Sequence, residues 1–230
     1  GALILLPLAL RGGVLRVPRT HYKYIALYAI FEMFIPWTLI SDGQRKVSSG
    51  LAGLLIATVP IWANLLAALA GDRSVRHPRQ VSGIALVGVD TFFESHDLIA
   101  MLKILFSAFS YAFATFMAAR HLSAVAGVTV NGLAMALTAV VFLIPAARTL
   151  PDQMPSVKAL SALLALGLLC TALAFYYFFT LLRLIGAPKA STVTYPNTAI
   201  AIALGVILLH EPVTLGMALG FPLVLLGSYL

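Results

Sequence analysis

The sequence predicts an all-α integral membrane protein built as a bundle of transmembrane helices. Of its 230 residues, 61% are hydrophobic and 10% are charged, whereas about 25% of residues are charged in an average soluble domain. This composition, with a mean hydropathy of +0.99, indicates that lipid is the main solvent. In lipid the backbone polar groups must pair within the chain, so only helices or a closed barrel can span. The long apolar runs lack the alternation of barrel strands, which leaves the helical bundle.

Nine apolar runs mark the predicted helices. They fall at about residues 1–10, 24–41, 48–70, 80–93, 98–119, 126–147, 159–182, 190–209 and 214–230. Most are long enough to cross a hydrocarbon core of about 30 Å at about 1.5 Å per residue. The runs 1–10 and 80–93 are shorter, and the sequence leaves open whether 80–93 spans fully. We therefore predict about eight full transmembrane helices plus the end of one. Because Gly1 already lies inside an apolar run, we expect an N-terminally truncated bundle.

The basic residues predict how the bundle is oriented. If the loop after the first run is cytoplasmic and the loops alternate, the cytoplasmic side collects ten Lys and Arg residues and the other side four. This asymmetry follows the positive-inside rule. The cytoplasmic set is Arg11, Arg16, Arg19, Lys23, Arg73, Arg76, Arg79, Arg120, Arg183 and Lys189, and the external set is Arg45, Lys46, Arg148 and Lys158. Because these residues sit in short loops between apolar runs, the net charge of +7 does not indicate a nucleic-acid partner.

Two stretches of the chain resemble each other. One runs from Ser49 to Phe92 and the other from Ala190 to Leu230, and each combines small residues, a mid-helix proline, a further half-helix, an acidic turn and another helix. With alternating loops the two copies would lie upside down relative to each other, which is characteristic of secondary carriers. The prolines, Pro60 and Pro196, interrupt the backbone ladder near mid-membrane. Prolines that merely kink packed helices are the alternative.

Three segments resemble the repeat signatures of the EamA family of the drug/metabolite transporter superfamily. They are V-S-S-G-L-A-G-L-L-I-A-T-V-P-I-W-A-N-L-L-A-A-L from Val47, G-A-P-K-A-S-T-V-T-Y from Gly186 and L-G-V-I-L-L-H-E-P-V-T-L-G from Leu204. The resemblance implies ten helices in two inverted five-helix repeats with both termini cytoplasmic. On that template, residues 1–93 are the remainder of the first repeat, without its first helix and most of its second, and 94–230 are the second repeat. With those helices absent, we do not expect the 230 residues alone to transport.

Glu32 is the strongest candidate for a functional side chain. It lies about eight residues into the run 24–41, near mid-bilayer, where a carboxylate costs at least a few kcal/mol. His21, Tyr24, Tyr28 and Glu32 follow i, i+3, i+7, i+11 spacing and form one polar stripe. We predict that Glu32 takes up and releases a proton or binds a substrate amine. A carboxyl group that is hydrogen-bonded to a neighbouring helix and purely structural is the alternative.

A second polar stripe consists of Lys103, Ser107, Ser110 and Tyr111 on the run 98–119. Lys103 lies near the predicted external end, so its ammonium group could extend to the headgroups. Pairing with Glu32, or binding of an anionic substrate group, is the alternative. Polar and aromatic residues beside the two prolines are predicted to complete a solute site. They are Tyr195, Asn197 and Thr198 around Pro196, and Trp62 and Asn64 after Pro60.

These features predict a multi-pass permease of the bacterial plasma (inner) membrane. It would move small metabolites, amino acids or drug-like solutes by alternating access, with the lipid bilayer and a small-molecule substrate as its partners and no nucleic acid. No cofactor, metal or catalytic motif is indicated, and the single cysteine, Cys170, excludes an intrachain disulfide. A non-transporting truncated relative and, less favoured, a membrane-embedded enzyme are the alternatives. A homodimer is left open.

Overall fold

The computed structural model describes residues 2–11, 17–71, 97–149, 154–185 and 193–210. Within those ranges the regular structure is helical, without strands, which confirms the predicted all-α class. The helices are α1 (Ala2–Arg11), α2 (Arg19–Gly43), α3 (Ser49–Leu69), α4 (Leu98–His121), α5 (Gly127–Arg148), α6 (157–185) and α7 (Thr194–Leu209). The runs predicted at 80–93 and 214–230 lie outside the described residues.

Five described helices are long and apolar enough to cross a membrane. They are α2, α3, α4, α5 and the Val157–Phe178 part of α6. A multi-pass integral membrane protein is therefore confirmed, while the total of about eight full spans stays a prediction. The helix α6 shows the character of a lipid-facing element most clearly, because Ala172 is the one buried side chain among those described in it. Its middle, Leu166–Leu173, is a π-helix in which the Thr171 hydroxyl donates to the Leu166 carbonyl (2.9 Å).

The chain divides into two compact units. Unit 1 comprises Gly1–Phe34 and Met117–Ala190, and unit 2 comprises Ile35–Phe116 and Ser191–Leu230. The boundaries fall inside α2 and α4, so each of these helices contributes one end to each unit. This compact division is distinct from the two sequence repeats, 1–93 and 94–230, which stay a prediction.

Unit 1 is organised around α5, which packs against α1 and the first part of α2. The packed face of α5 presents short side chains, including Val130, Ala134 and Thr138, at intervals of four residues. Side chains of this kind allow helices to approach closely where no hydrophobic effect drives them together. From α2, Ile25 and Met33 are fully buried.

Unit 2 is organised around the beginnings of α3 and α4. Its core consists of Val47, Leu51, Ala52, Leu55, Ala100, Met101 and Ile104. Both helices begin with a side-chain cap: the Ser48 hydroxyl accepts a hydrogen bond from the Leu51 amide (3.2 Å), and the Asp97 carboxylate accepts one from the Ala100 amide (3.0 Å). The caps satisfy amide groups that the first helical turn leaves without intrahelical partners.

Candidate functional site

The candidate site in unit 1 is built on an irregular turn of α2. Residues Ile30–Phe34 form a π-helix with Glu32 at their centre, between regular α-helical stretches. Pro36 gives the physical reason. It has no amide hydrogen, and in a regular α-helix its ring would collide with the carbonyl group of Glu32, four residues earlier. The widened turn relieves that collision, and such π-bulges occur frequently at functional sites. Pro36 was not among the predicted site residues, although its position four residues after Glu32 was a signal in the sequence.

The Glu32 carboxyl group is held in a position where water cannot reach all of it. Its Oε2 atom is buried, and no hydrogen-bond partner for it exists among the described residues. The neighbouring groups of unit 1 are engaged elsewhere. The Tyr28 hydroxyl donates to the Asn131 side-chain carbonyl (3.3 Å), and the Asn131 amide donates to the Gly127 carbonyl (3.0 Å). The structure thus leaves one oxygen of an ionisable group in an apolar environment with its acceptor capacity unused.

The surroundings of this turn are apolar and polarizable. The Thr138 hydroxyl donates to the Ala134 carbonyl (2.8 Å) and lies 3.8 Å from the Met33 sulfur. The rings of Phe34 and Phe142 lie 5.2 Å apart in a tilted arrangement. The low polarity of such contacts strengthens any electrostatic interaction that Glu32 makes.

The rest of the predicted polar stripe on α2 lies on the packed side of that helix. Tyr28 is buried, and Tyr24 and His21 are partly buried. The Tyr24 ring stacks on His121 at the end of α4, with centroids 4.2 Å apart and planes 3° from parallel. The i, i+3, i+7, i+11 spacing therefore identified a real packed face, on which Tyr24 meets His121 and Tyr28 meets Asn131.

Unit 2 contains the predicted residues of α3. The helix is interrupted at Ala57 and Thr58, and it resumes with Pro60 in its first turn. The Thr58 hydroxyl donates to the Leu55 carbonyl (2.7 Å) across this break. Downstream, the Trp62 ring meets Phe109 edge to face, with centroids 5.5 Å apart. The Trp62 indole N–H is buried and finds no acceptor within the described part of the chain. Asn64 lies two residues after Trp62 and is partly buried.

The second predicted stripe, on α4, also lies in unit 2. The Lys103 ammonium group is bound to the Asp42 carboxylate at 2.5 Å, and the Ser107 hydroxyl donates to the Lys103 carbonyl (2.9 Å). Ser107 and Ser110 are fully buried, and the Ser110 hydroxyl has no partner in the described ranges. Tyr111 is partly buried. Asp42 was not among the predicted site residues, because the predicted run 24–41 ends before it, whereas in the structure Asp42 belongs to the last turn of α2.

A second ion pair lies beside the first. The Lys46 ammonium group binds the Asp97 carboxylate at 2.6 Å. Both pairs join the end of α2 and the following turn to the beginning of α4. Because that turn leads directly into α3, the starts of α3 and α4 lie at the same end of unit 2. The hydrogen bond from Lys46, with that from the Ala100 amide, lowers the pKa of Asp97 below its usual value. The hydrogen bond to Asp97 in turn raises the pKa of Lys46.

These two shifts define when the Lys46–Asp97 pair stabilises the fold. Because the pKa of Asp97 is lowered in the folded state, the stability that Asp97 contributes is lost only as pH falls through that lowered pKa. Because the pKa of Lys46 is raised, the stability that Lys46 contributes is lost only as pH rises through that raised pKa.

We expect Asp97→Ala to lower the melting temperature of detergent-purified protein more than Asp97→Asn. Asn still caps α4 but cannot pair with Lys46. Equal melting temperatures for the two variants at neutral pH would contradict a role for the cap.

The remaining predicted residues lie on α7. Pro196 and Asn197 are exposed in its first turns, and Tyr195 and Thr198 belong to the same helical stretch. Tyr28 and Glu32 thus belong to unit 1. The other predicted residues belong to unit 2; they are Pro60, Trp62, Asn64, Lys103, Ser107, Tyr111, Tyr195, Asn197 and Thr198. Whether these residues form one solute site stays a prediction.

Comparison with known proteins gives the ancestry of the fold. A 215-residue stretch is 27% identical to an uncharacterized transporter of Archaeoglobus fulgidus, covering 90% of this chain and 76% of that protein. A 226-residue stretch is 22% identical to the uncharacterized transporter YoaV of Bacillus subtilis, covering 94% of this chain and 77% of YoaV. A protein crystal structure at 19% identity shares the fold with a TM-score of 0.71, over 99% of this chain and 82% of that one. The EamA-like transporter family matches residues 1–92 and 98–230, and the chain belongs to this family.

Proposed function

We propose that this protein is a secondary transporter in which Glu32 is the group that couples movement of a small solute to movement of a proton. Membership of a transporter family supports the general activity. The observation that carries the specific role is the buried Glu32 Oε2 atom, for which the described residues provide no hydrogen-bond partner. Ionisable groups inside membrane helices are expensive and are therefore functional by default.

The unused oxygen of Glu32 can be satisfied in two ways. A proton on the carboxyl group removes its charge, and a cationic or hydrogen-bond-donating group of a solute pairs with it. Because one oxygen cannot hold both, arrival of the solute displaces the proton and arrival of the proton displaces the solute. Alternating access then links the two fluxes, since each occupant is released on the side to which the site is open. The π-turn around Glu32 provides the irregular backbone at which such a helix can adjust.

Unit 2 supplies donor groups suited to small polar solutes. The Trp62 indole N–H and the Ser110 hydroxyl are buried and lack partners among the described residues. Buried donors of this kind are costly unless a ligand or water accepts from them. Solutes that carry a hydrogen-bond acceptor on an apolar body, such as amino acids and many drug-like compounds, meet that requirement. Lys103 already binds Asp42, so an anionic solute group would share its ammonium hydrogens with that carboxylate or displace it.

The direct test is solute flux through the product of the complete gene, reconstituted in lipid vesicles. Radiolabelled amino acids and amine-bearing metabolites are loaded on one side, and their appearance on the other side is timed with and without a pH gradient. A transporter yields chemically unchanged solute at a rate well above that of protein-free vesicles. Recovery of a modified product instead would favour a membrane-embedded enzyme, and background flux for every solute would favour a non-transporting relative.

We further propose that the chain lies in a bacterial plasma membrane as two inverted repeats, with the start of α3 external. The Lys46–Asp97 ion pair supports one element of this topology, namely that α3 and α4 start on the same side of the membrane. Because α3 has 21 residues, about 31 Å at about 1.5 Å per residue, Gly71 is expected on the cytoplasmic side. In a Cys170→Ala background, an impermeant thiol reagent added to intact cells should label Arg45→Cys but neither Ala70→Cys, next to Gly71, nor Lys23→Cys. The reverse pattern would contradict the orientation.

A further inference from the structure

We propose that unit 1 binds one anionic phospholipid along the exposed face of α2, with the lipid phosphate held by Arg19 and Lys23. Four residues at i, i+4, i+8 and i+11 spacing form a single stripe on that face: Arg19, Lys23, Leu27 and Ile30. All four are exposed. Two cations at one end of the stripe and two apolar side chains at the other match a headgroup followed by an acyl chain. This inference rests on membrane insertion and does not depend on the proposed coupling role of Glu32.

The length of the stripe fits one leaflet of a bilayer. Arg19 and Ile30 are eleven residues apart, which corresponds to about 16 Å along a helix at about 1.5 Å per residue. Half of a hydrocarbon core of about 30 Å is about 15 Å. With the cations at the phosphate level, Leu27 and Ile30 therefore lie at the depth of the acyl chain. The stripe begins at Arg19, the first residue of the candidate span Arg19–Gly43.

The headgroup end of the stripe is strongly basic. The stacking of Tyr24 on His121 brings the end of α4, which carries Arg120 and His121, next to the beginning of α2. Glu32, Asp42 and Asp97 are the acidic residues in the described ranges. None is at this end: Asp42 and Asp97 pair with Lys103 and Lys46, and Glu32 lies mid-helix.

One contact fixes a cation in place before a lipid arrives. The Lys23 ammonium group lies over the Tyr24 ring, 4.9 Å from its centroid. This cation–π contact, with the ring itself held against His121, restricts a side chain that would otherwise lose much conformational freedom on binding. A cation–π contact leaves the ammonium hydrogens on the opposite side available to phosphate oxygens. Lys23 is thus positioned for a headgroup at the membrane surface.

The test compares two lipids with identical acyl chains. Protein in mild detergent is titrated with dioleoyl phosphatidylglycerol or dioleoyl phosphatidylcholine, and retained lipid is counted by native mass spectrometry. We expect one preferentially retained phosphatidylglycerol. Each surface cation contributes about a factor of five to anionic lipid binding, so Arg19→Gln with Lys23→Gln should weaken retention roughly thirtyfold. The control, Arg148→Gln with Lys158→Gln, removes the same charge from exposed residues of the same unit and should change retention by less than about twofold.

Each alternative outcome decides the proposal. Equal retention of both lipids, or equal weakening by the control pair, would overturn a specific site. Soluble glycerol phosphate added in excess should not displace the lipid; displacement would mean a phosphate site rather than a lipid site. The variant Leu27→Asn with Ile30→Asn should also weaken retention, because it removes the acyl-chain contact while leaving both cations. If a double variant does not fold, the single variants Arg19→Gln and Lys23→Gln decide, each with about a fivefold loss expected.

Discussion

In a full-length protein with measurable transport, replacing Glu32 with Gln is expected to leave a folded, inserted transporter whose rate no longer depends on pH. Gln keeps the size of the side chain and can still donate and accept hydrogen bonds, but it cannot take up or release a proton. The buried Oε2 atom has no partner among the described residues and is the atom that we propose to bind the proton, so the variant loses the proposed proton site. If proton occupancy of Glu32 controls solute release, the parent transport rate changes by up to about tenfold per pH unit in the pH range where the required protonation state of Glu32 is the minor one. The variant should change by less than about twofold over the same interval.

Initial uptake is measured between about pH 5.5 and 8 for the parent protein and for Glu32→Gln. The matched control is Asp42→Asn, which removes the other carboxyl group of α2. Asp42 binds Lys103 and is exposed, so its variant should keep the pH dependence of the parent. Superimposable pH profiles for the parent and Glu32→Gln would mean that Glu32 is structural, as the alternative interpretation of the sequence holds.

Gly43→Ala is expected to destabilise unit 2 by about 1–3 kcal/mol, the usual cost of overpacking a core. A β-carbon at this position would lie 2.8 Å from the Ile104 Cγ1 atom, 3.0 Å from its Cδ1 atom and 3.1 Å from the Ala100 carbonyl oxygen. The neighbouring helix would have to move, because a backbone carbonyl cannot rotate away. Close helix contacts through small residues are a general source of stability in membrane proteins.

The apparent free energy of unfolding in mixed micelles measures this effect, and a double-mutant cycle identifies its cause. Ile104→Ala alone leaves a cavity, since Ile104 is fully buried, and should cost about 2–5 kcal/mol. Combined with Gly43→Ala, the new methyl group occupies part of that cavity. The double variant should therefore be more stable than the sum of the single changes predicts. Strict additivity would contradict the steric explanation.

The helices were predictable because a segment that lies in the hydrocarbon of a bilayer must be apolar, so hydropathy shows directly which segments lie there. The apolar run 98–119 became Leu98–His121, and the run 126–147 became Gly127–Arg148. The run 24–41 missed the two ends of α2, which extends from Arg19 to Gly43. Hydropathy detects only the part of a helix inside the hydrocarbon, whereas a helix continues wherever its backbone hydrogen bonds remain favourable. Asp42 was thus assigned to a loop, and its pairing with Lys103 could not be foreseen.

The candidate site was predictable as a set of residue types but not as a geometry. The position of Glu32 in an apolar run was sufficient to select it, because the cost of a buried carboxylate does not depend on the fold. The π-turn depended on a local clash with Pro36, which spacing alone could have indicated. The Trp62 indole N–H, unpaired among the described residues, and the contact of its ring with Phe109 follow from the geometry of the break in α3, which was not predicted. Periodicity gives the face of a helix but not the partner that covers it.

A recording of protons rather than of solute shows whether Glu32 couples solute movement to proton movement. Vesicles containing the reconstituted protein and an internal pH-sensitive dye receive a transported solute in the absence of any pH gradient. We expect a solute-dependent change of internal pH with the parent protein and none with Glu32→Gln, although labelled solute still crosses. Solute flux without a pH change in the parent, or an equal pH change in Glu32→Gln, would contradict it.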